Sequence, residues 1–205
     1  MNTRFALLIV FGALLLSSNL CFGQAKLGET KTYTFKKVGW TMEAPVSWTI
    51  LSNEEEEKLR KKGIDTISAL AQEDITDKLM DSKVINLITA KKNETNYFVS
   101  VMQLFDKTKY SFAKCMNMTD TILYSSFVNM KLKCDSSSGT KDIDGLRFFV
   151  FHVKIDVGNG IFIREDMYSR LINGYCFSII MVYLDEDSKA LMMDMMKSSK
   201  FSIRD

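Results

Sequence analysis

The side chains through which this chain could do chemistry are few, and their spacing limits what that chemistry is. His152 is the only histidine among 205 residues. General-base catalysis, Ser or Cys triads and most zinc sites draw on histidine. A single one inside the apolar run FFVFHVKID reads as structural, sharing a face with Phe148 and Val150. A thiol nucleophile at Cys115 or Cys176 would have to meet His152 through the fold, and nothing in the spacing brings them together. Met192, Met193, Met195 and Met196 in LMMDMMK carry thioethers of the kind that suit Cu(I). With no histidine beside them they read as adaptable core filler, Met192, Met195 and Met196 packing a helix onto a sheet and Met193 more exposed.

The acidic runs fare no better as ion sites. Consecutive helical residues point about 100° apart, so Glu54 to Glu57 cannot converge on one cation. They are expected to form ordinary surface pairs, Glu54 with Lys58 and Glu57 with Lys61. Asp135, Asp142 and Asp144 in DSSSGTKDIDG match no calcium loop and read as a polar turn. There is no phosphate-binding glycine loop, no dinucleotide fingerprint and no paired-histidine metal motif. No catalytic residue, metal or cofactor is expected.

The most unusual polar content is in FIREDMYSR, where Phe162, Arg164, Asp166, Tyr168 and Arg170 alternate onto one face of a strand. A solvated edge with cross-strand pairs is one reading. The other is a recognition surface, because Arg and Tyr carry binding energy well. On that second reading the residues to test are Arg164, Tyr168 and Arg170, with Trp40 and Trp48 as an aromatic rim.

The elements that must position these groups follow from periodicity and punctuation. Arg4 followed by the apolar run Phe5 to Leu16 and the more polar SSNLCFG is the pattern of a secretory signal, too short to span a bilayer. Cleavage is expected after Gly23, so residues 1–23 are removed and 24–205 form one domain. Acylation at Cys21 is the alternative; Leu20 before it departs from the small residue that lipid attachment favours. The formal net charge is only +2, which excludes a basic nucleic-acid footprint. Hydrophobic residues make up 46% of the chain, enough for a core and too many for a disordered tail. Cys115, Cys134 and Cys176 are too few for a disulfide scaffold; one bridge and one thiol, or three thiols, both fit.

KTYTFKKVGWTMEAP alternates as one or two strands, with Tyr33 and Phe35 on one face and Trp40, Met42 and Ala44 on another. Pro45, the only proline, should end that strand and turn the chain so that Trp48 enters the core. Ser52 with Glu55 forms a capping box, opening a helix that breaks near Gly63 and reaches about Leu79. Residues 84–91 and 97–105 read as a hairpin around KNETN. Phe112, Met116, Leu123 and Phe127 fall on one face of a second helix. A strand near 130–135 with a polar loop or loose strand behind it precedes three long β runs joined at VGNG and NG. Asp187 or Ser188 then caps a last helix.

This order, with MEAPVSW at its front, resembles the PsbP-like superfamily, which includes the photosystem II extrinsic subunit, a Ran-binding nuclear transport factor and small exported bacterial proteins. The resemblance extends through the acidic helix, the NLITAKK…YFVSVMQLF hairpin, the GLRFFVFHVKI…YSRLINGYCFSIIMVY meander and the closing helix, most of residues 31–203. It implies an α+β fold, a three-layer α/β/α sandwich whose central, mainly antiparallel sheet has about six or seven strands with helices on both faces. It also implies an accessory or binding role, and no calcium, manganese or chloride site can be matched onto these residues. The expected function is therefore an exported, non-catalytic protein, periplasmic or extracellular, that holds a partner protein. A small-ligand carrier with an apolar pocket between sheet and helix is the alternative, and an enzyme the third.

Overall fold

The computed structural model describes residues 28–71, 84–108, 111–129 and 131–202. The expected leader, Cys21 and the stretch from 72 to Leu79 lie outside them. Strands β1 (Thr30–Phe35) and β2 (Trp40–Pro45) form an antiparallel pair, joined by the short terminal strand β10 (Lys200–Phe201) in a three-stranded sheet. The main sheet holds β3 (Thr49–Ile50), β4 (Val84–Asn93), β5 (Asn96–Leu104), β6 (Lys133–Ile143), β7 (Leu146–Asp156), β8 (Phe162–Ile172) and β9 (Tyr175–Tyr183). Its order is β3-β4-β5-β9-β8-β7-β6 and every pair is antiparallel. The helices are α1 (Asn53–Ala71), α2 (Phe112–Asn129) and α3 (Glu186–Lys197).

Two apolar clusters lie on opposite faces of the main sheet. Leu59 of α1 and Phe112, Cys115, Met116 and Phe127 of α2 pack with Phe151, Val153, Met167 and Ile180 on one side. Leu191, Met192, Met195 and Met196 of α3 pack with Phe148, Val150, Phe177 and Met181 on the other. The outer layer on this second side is a helix together with the small sheet, so the sandwich is completed there by β1, β2 and β10 as well as by α3. The methionines of α3 are the core filler their spacing suggests: Met192, Met195 and Met196 are buried and Met193 is partly exposed.

Pro45 is the last residue of β2, and Trp48 N–H donates to its carbonyl at 3.0 Å, closing the turn that carries Trp48 inward. Trp40 is fully buried. Its indole N–H donates to Ser199 Oγ at 3.0 Å, and its ring packs with Phe35, Phe177 and Phe201. The two tryptophans are therefore core residues and supply no exposed rim. Gly39 sits at φ +60° in the turn before Trp40, and a Cβ there would lie 2.1 Å from Ser202 O. Only glycine lets the chain end dock against that turn.

Local signals mostly held, with four corrections. The Ser52–Glu55 box is formed, with Ser52 N–H and Oγ–H both donating to Glu55 Oε2 at 2.8 Å; these bonds hold the carboxyl below its usual range. Helix α1 continues through Gly63 without a break, because one glycine costs only about 1 kcal/mol, which flanking helix can absorb. Glu54 pairs with Lys58 as expected, but Glu57 takes Arg60, one residue nearer than Lys61, at 2.7 Å. Asp185, and neither Asp187 nor Ser188, caps α3, its carboxylate accepting from Ser188 N–H at 2.7 Å. The polar DSSSGTKDI stretch is a regular strand throughout; only Asp144, at φ +48°, turns, and its carboxylate accepts from Phe201 N–H at 2.8 Å and Lys200 Nζ at 3.0 Å.

Candidate functional site

The alternation expected of FIREDMYSR is correct and its placement is different. Strand β8 is an interior strand, flanked by β9 and β7, so it is no solvated edge. Arg164, Asp166 and Tyr168 point to the face that carries α3, because their register partners on β7 are Lys154, His152 and Val150, and Arg170 follows on the same face by alternation. Tyr168 is buried beneath α3, and its hydroxyl donates to Met193 Sδ at 3.6 Å. Arg164 and Arg170 are six residues apart along one strand, about 20 Å at strand rise, with Tyr168 between them. They do not belong to one site. Arg170 donates to Arg147 O at 2.6 Å, and its Nε is buried without a partner among the described residues.

What the fold does assemble is a polar cluster around Asp166. Counting outward from the β7–β8 turn puts His152 directly opposite Asp166. His152 Nδ1 lies 2.7 Å from Asp166 Oδ1. A carboxylate only accepts, so Nδ1 carries the proton, and the second ring nitrogen is left to solvent on a side chain 43% exposed. The other carboxylate oxygen accepts from Tyr183 O–H of β9 at 3.1 Å. Lys189 of α3 brings its ammonium to 4.0 Å from the same oxygen and lies over the Tyr183 ring. Asp166 itself is 2% exposed.

Burying a carboxylate costs several kcal/mol unless it is paired and hydrogen-bonded, and here each oxygen has a dedicated partner. Burial, and then Asp166 itself, push the Tyr183 and Tyr168 hydroxyls far above their usual range. Tyr183 therefore stays a donor at any physiological pH. The imidazole is also fixed sideways by an edge-on contact with the Tyr168 ring, centroids 6.4 Å apart.

This cluster opens onto the uncovered part of the same face. Lys154 lies over the Phe162 ring at 3.9 Å. Arg164 donates to Leu184 O at 3.0 Å and has Glu186 at 3.9 Å, while Glu186 also lies 4.0 Å from Lys189. Ser137 and Asp135 of β6 stand opposite His152 and Lys154 in register, both exposed. The shelf thus presents an oriented imidazole, three long cations and two carboxylates at solvent.

The three thiols are on other business. All are free. Burial pushes Cys176 up to about 12 and raises Cys115 and Cys134, which leaves little thiolate for a nucleophile. Cys115 and Cys176 pack in the cluster on the α1–α2 side, so the sheet itself stands between them and His152. No group of three or more metal-ligating side chains occurs among the described residues. Two concavities among the described residues are open troughs: one of 660 Å³ lined by Lys36, Lys37, Thr41 and Asn173, and one of 480 Å³ between α2 and the strand ends, lined by Tyr124, Val128, Lys154 and Phe162.

Sequence reasoning had His152 as structural and did not connect it to Asp166, Tyr183 and Lys189. A signal existed: placing the hairpin turn at VGNG pairs the one histidine with an aspartate on a face otherwise claimed by Phe148 and Val150.

Among the described residues no helix is long and apolar enough to cross a membrane. No protein-family model matches the chain, and no curated protein matches it. Among solved structures, the solution structure of cyanobacterial PsbP (CyanoP) from Synechocystis sp. PCC 6803 is similar, with a TM-score of 0.53 over 90% of this chain and 98% of that chain at 9% identity. At so low an identity the likeness is one of backbone architecture, and it agrees with the sheet order and helix layers described above: the chain has a PsbP-like fold.

Proposed function

We propose that this is an exported, non-catalytic accessory protein that holds a partner protein on the open face of β6, β7 and β8 beside the start of α3. The observation that carries the reading is the His152–Asp166 pair. The interior of this face is apolar, yet it buries an aspartate whose two oxygens are occupied in holding a histidine and a tyrosine. Stability alone gives no reason to keep such a carboxylate, since apolar replacements of buried ionic groups are often as stable. Lys154, Arg164 and Lys189 suit a partner surface that presents carboxylates, and beside them the imidazole, with its Nδ1 proton turned to Asp166, holds out its second nitrogen as an acceptor at a fixed angle. Arg164 is the one residue from the expected recognition set that lies at this shelf; Arg170 is remote from it, Tyr168 backs the His152 ring from the core, and Trp40 and Trp48 are core residues elsewhere.

A carrier would need an enclosed apolar cavity, whereas the troughs formed by the described residues are open and rimmed with lysine. The export reading rests on the leader pattern of residues 1–23. The intact mass of the protein taken from its host tests it: a chain starting at Gln24 supports cleavage after Gly23, a lipid-modified Cys21 supports the anchored form, and a chain retaining residues 1–23 refutes both.

Chemical cross-linking in the native compartment tests the surface. Arg164→Glu with Lys189→Glu should cut recovery of the cross-linked partner about tenfold or more, with Arg170→Ala unchanged as the control. Equal recovery by the charge-reversed chain, with its melting temperature intact, would show that the shelf is not where the partner sits.

A further inference from the structure

The two edges of the main sheet are unlike. One edge is β3, two residues long, and a very short edge strand offers little to pair with. The other is β6, eleven residues paired to β7 along its whole length with no register shift. Nine of those eleven residues are exposed, and no strand among the described residues covers its outer side. It contains no proline and no bulge, the devices that commonly blunt an edge.

Its sequence is complementary to itself. When KCDSSSGTKDI is paired antiparallel with a second copy so that Ser138 faces Ser138, Asp135 stands opposite Lys141 of the other copy, and the pair is repeated by symmetry. Asp135 and Lys141 are both exposed, and neither makes an ion pair among the described residues. In the same register Ser136 meets Thr140 on the opposite face, a hydroxyl pair of the kind that favours antiparallel strands. Ser137 meets Gly139, where a Cβ would touch nothing within 4 Å in this chain. No neighbour in this chain therefore requires glycine there, while a second backbone approaching closely gives it a use.

The neighbouring registers are worse. Side chains directly opposite must share a face, so the pairing can slip only by moving its centre a whole residue. Centring on Ser137 sets Lys133 against Lys141, like charge on like. Centring on Gly139 sets Asp135 against Ile143 and Lys141 against Ser137, with no ion pair.

We propose that this protein forms a two-fold symmetric dimer through β6, joining two seven-stranded sheets into one continuous sheet with Ser138 on the axis. The pairing adds main-chain hydrogen bonds and buries little apolar surface, so the dimer is weak and concentration-dependent. It takes up Asp135 but leaves the rest of the His152 shelf of each copy exposed on one side of the joined sheet, and it stands whether or not that shelf binds a partner.

Sedimentation velocity on the protein as its host processes it, at low salt from ~1 µM to ~1 mM, tests this. The expected result is a monomer–dimer equilibrium. Asp135→Lys and Lys141→Asp alone should each raise the dissociation constant about tenfold or more, because each turns two attractive pairs into two repulsive ones. The double variant D135K/K141D restores both pairs with their signs exchanged and should return to within about threefold of the parent. A monomer across the whole range overturns the proposal, as does a dimer indifferent to the single reversals or one that the double variant fails to restore.

Discussion

The two faces of the main sheet treat their buried polar groups in opposite ways. On the α3 side the buried polar side chains of the core are answered, Arg170 Nε excepted: Trp40 donates to Ser199, Tyr183 and His152 share Asp166, and Ser188 bonds Asp185. On the α1–α2 side Glu165 is 1% exposed and its Oε2 has no partner among the described residues, nor has Asp120 Oδ1. Adjacent residues of one strand, Glu165 and Asp166, thus carry similar acids into opposite environments. Burial, reinforced by Asp166, pushes the Glu165 carboxyl well above its ordinary range, whereas Asp166 is held by two partners. A buried acid is informative about function only when its surroundings have been arranged around it.

Substitutions sharpen that contrast. Trp40→Ala should cost the most, about 3–5 kcal/mol, by removing a fully buried ring and stranding Ser199. A lower urea midpoint at unchanged m-value is the measurement; a loss under 1 kcal/mol would mean the small sheet is a loose cover. Asp166→Leu and Glu165→Leu should then move stability in opposite directions, each by about 1–3 kcal/mol. The first strands Tyr183 O–H and frees His152; the second removes an acid that has no partner on one oxygen. Thermal melts of both at pH 7 settle it, and destabilisation of similar size by both would erase the distinction between the faces.

The smallest effect depends on pH. Half-burial raises the Asp120 carboxyl from 3.8 to about 7. The folded chain then holds a proton that the unfolded chain has already released, so the stability this group contributes is present in acid and lost as pH rises from about 4 through 7. Asp120→Asn, which keeps a partner for Ser138, should match the parent near pH 4 and melt at a higher temperature at pH 8. A constant difference across that range would show that Asp120 titrates normally.

Legibility followed the range of the interactions. The Ser52–Glu55 box, the α3 methionine face, the turn at Pro45 and the hairpins could all be read because each depends on residues within a few positions. The helix break assigned to Gly63 failed since neighbouring helix outweighs one poor residue. The cap assigned to Asp187 or Ser188 missed Asp185, which lies just ahead of the periodic run and satisfies the first turn better. For the candidate site, the face shared by Arg164, Asp166, Tyr168 and Arg170 was legible from period two. Whether that face was open or covered was not, because β8 becomes interior only when β7 and β9 both pair with it.

By itself the sequence determined the basic-then-apolar pattern of residues 1–23, the β-rich succession with three helices, and the absence of the common catalytic motifs, all properties of composition and short-range spacing. Tertiary structure alone decided that Trp40 and Tyr168 are interior and that His152 is held by Asp166. It also decided that Cys115 and Cys176 lie across the sheet from that histidine, and that β6 is a long edge which no strand among the described residues covers. Burial and cross-strand partnership are set by which strands lie side by side, and that choice joins residues far apart in the chain.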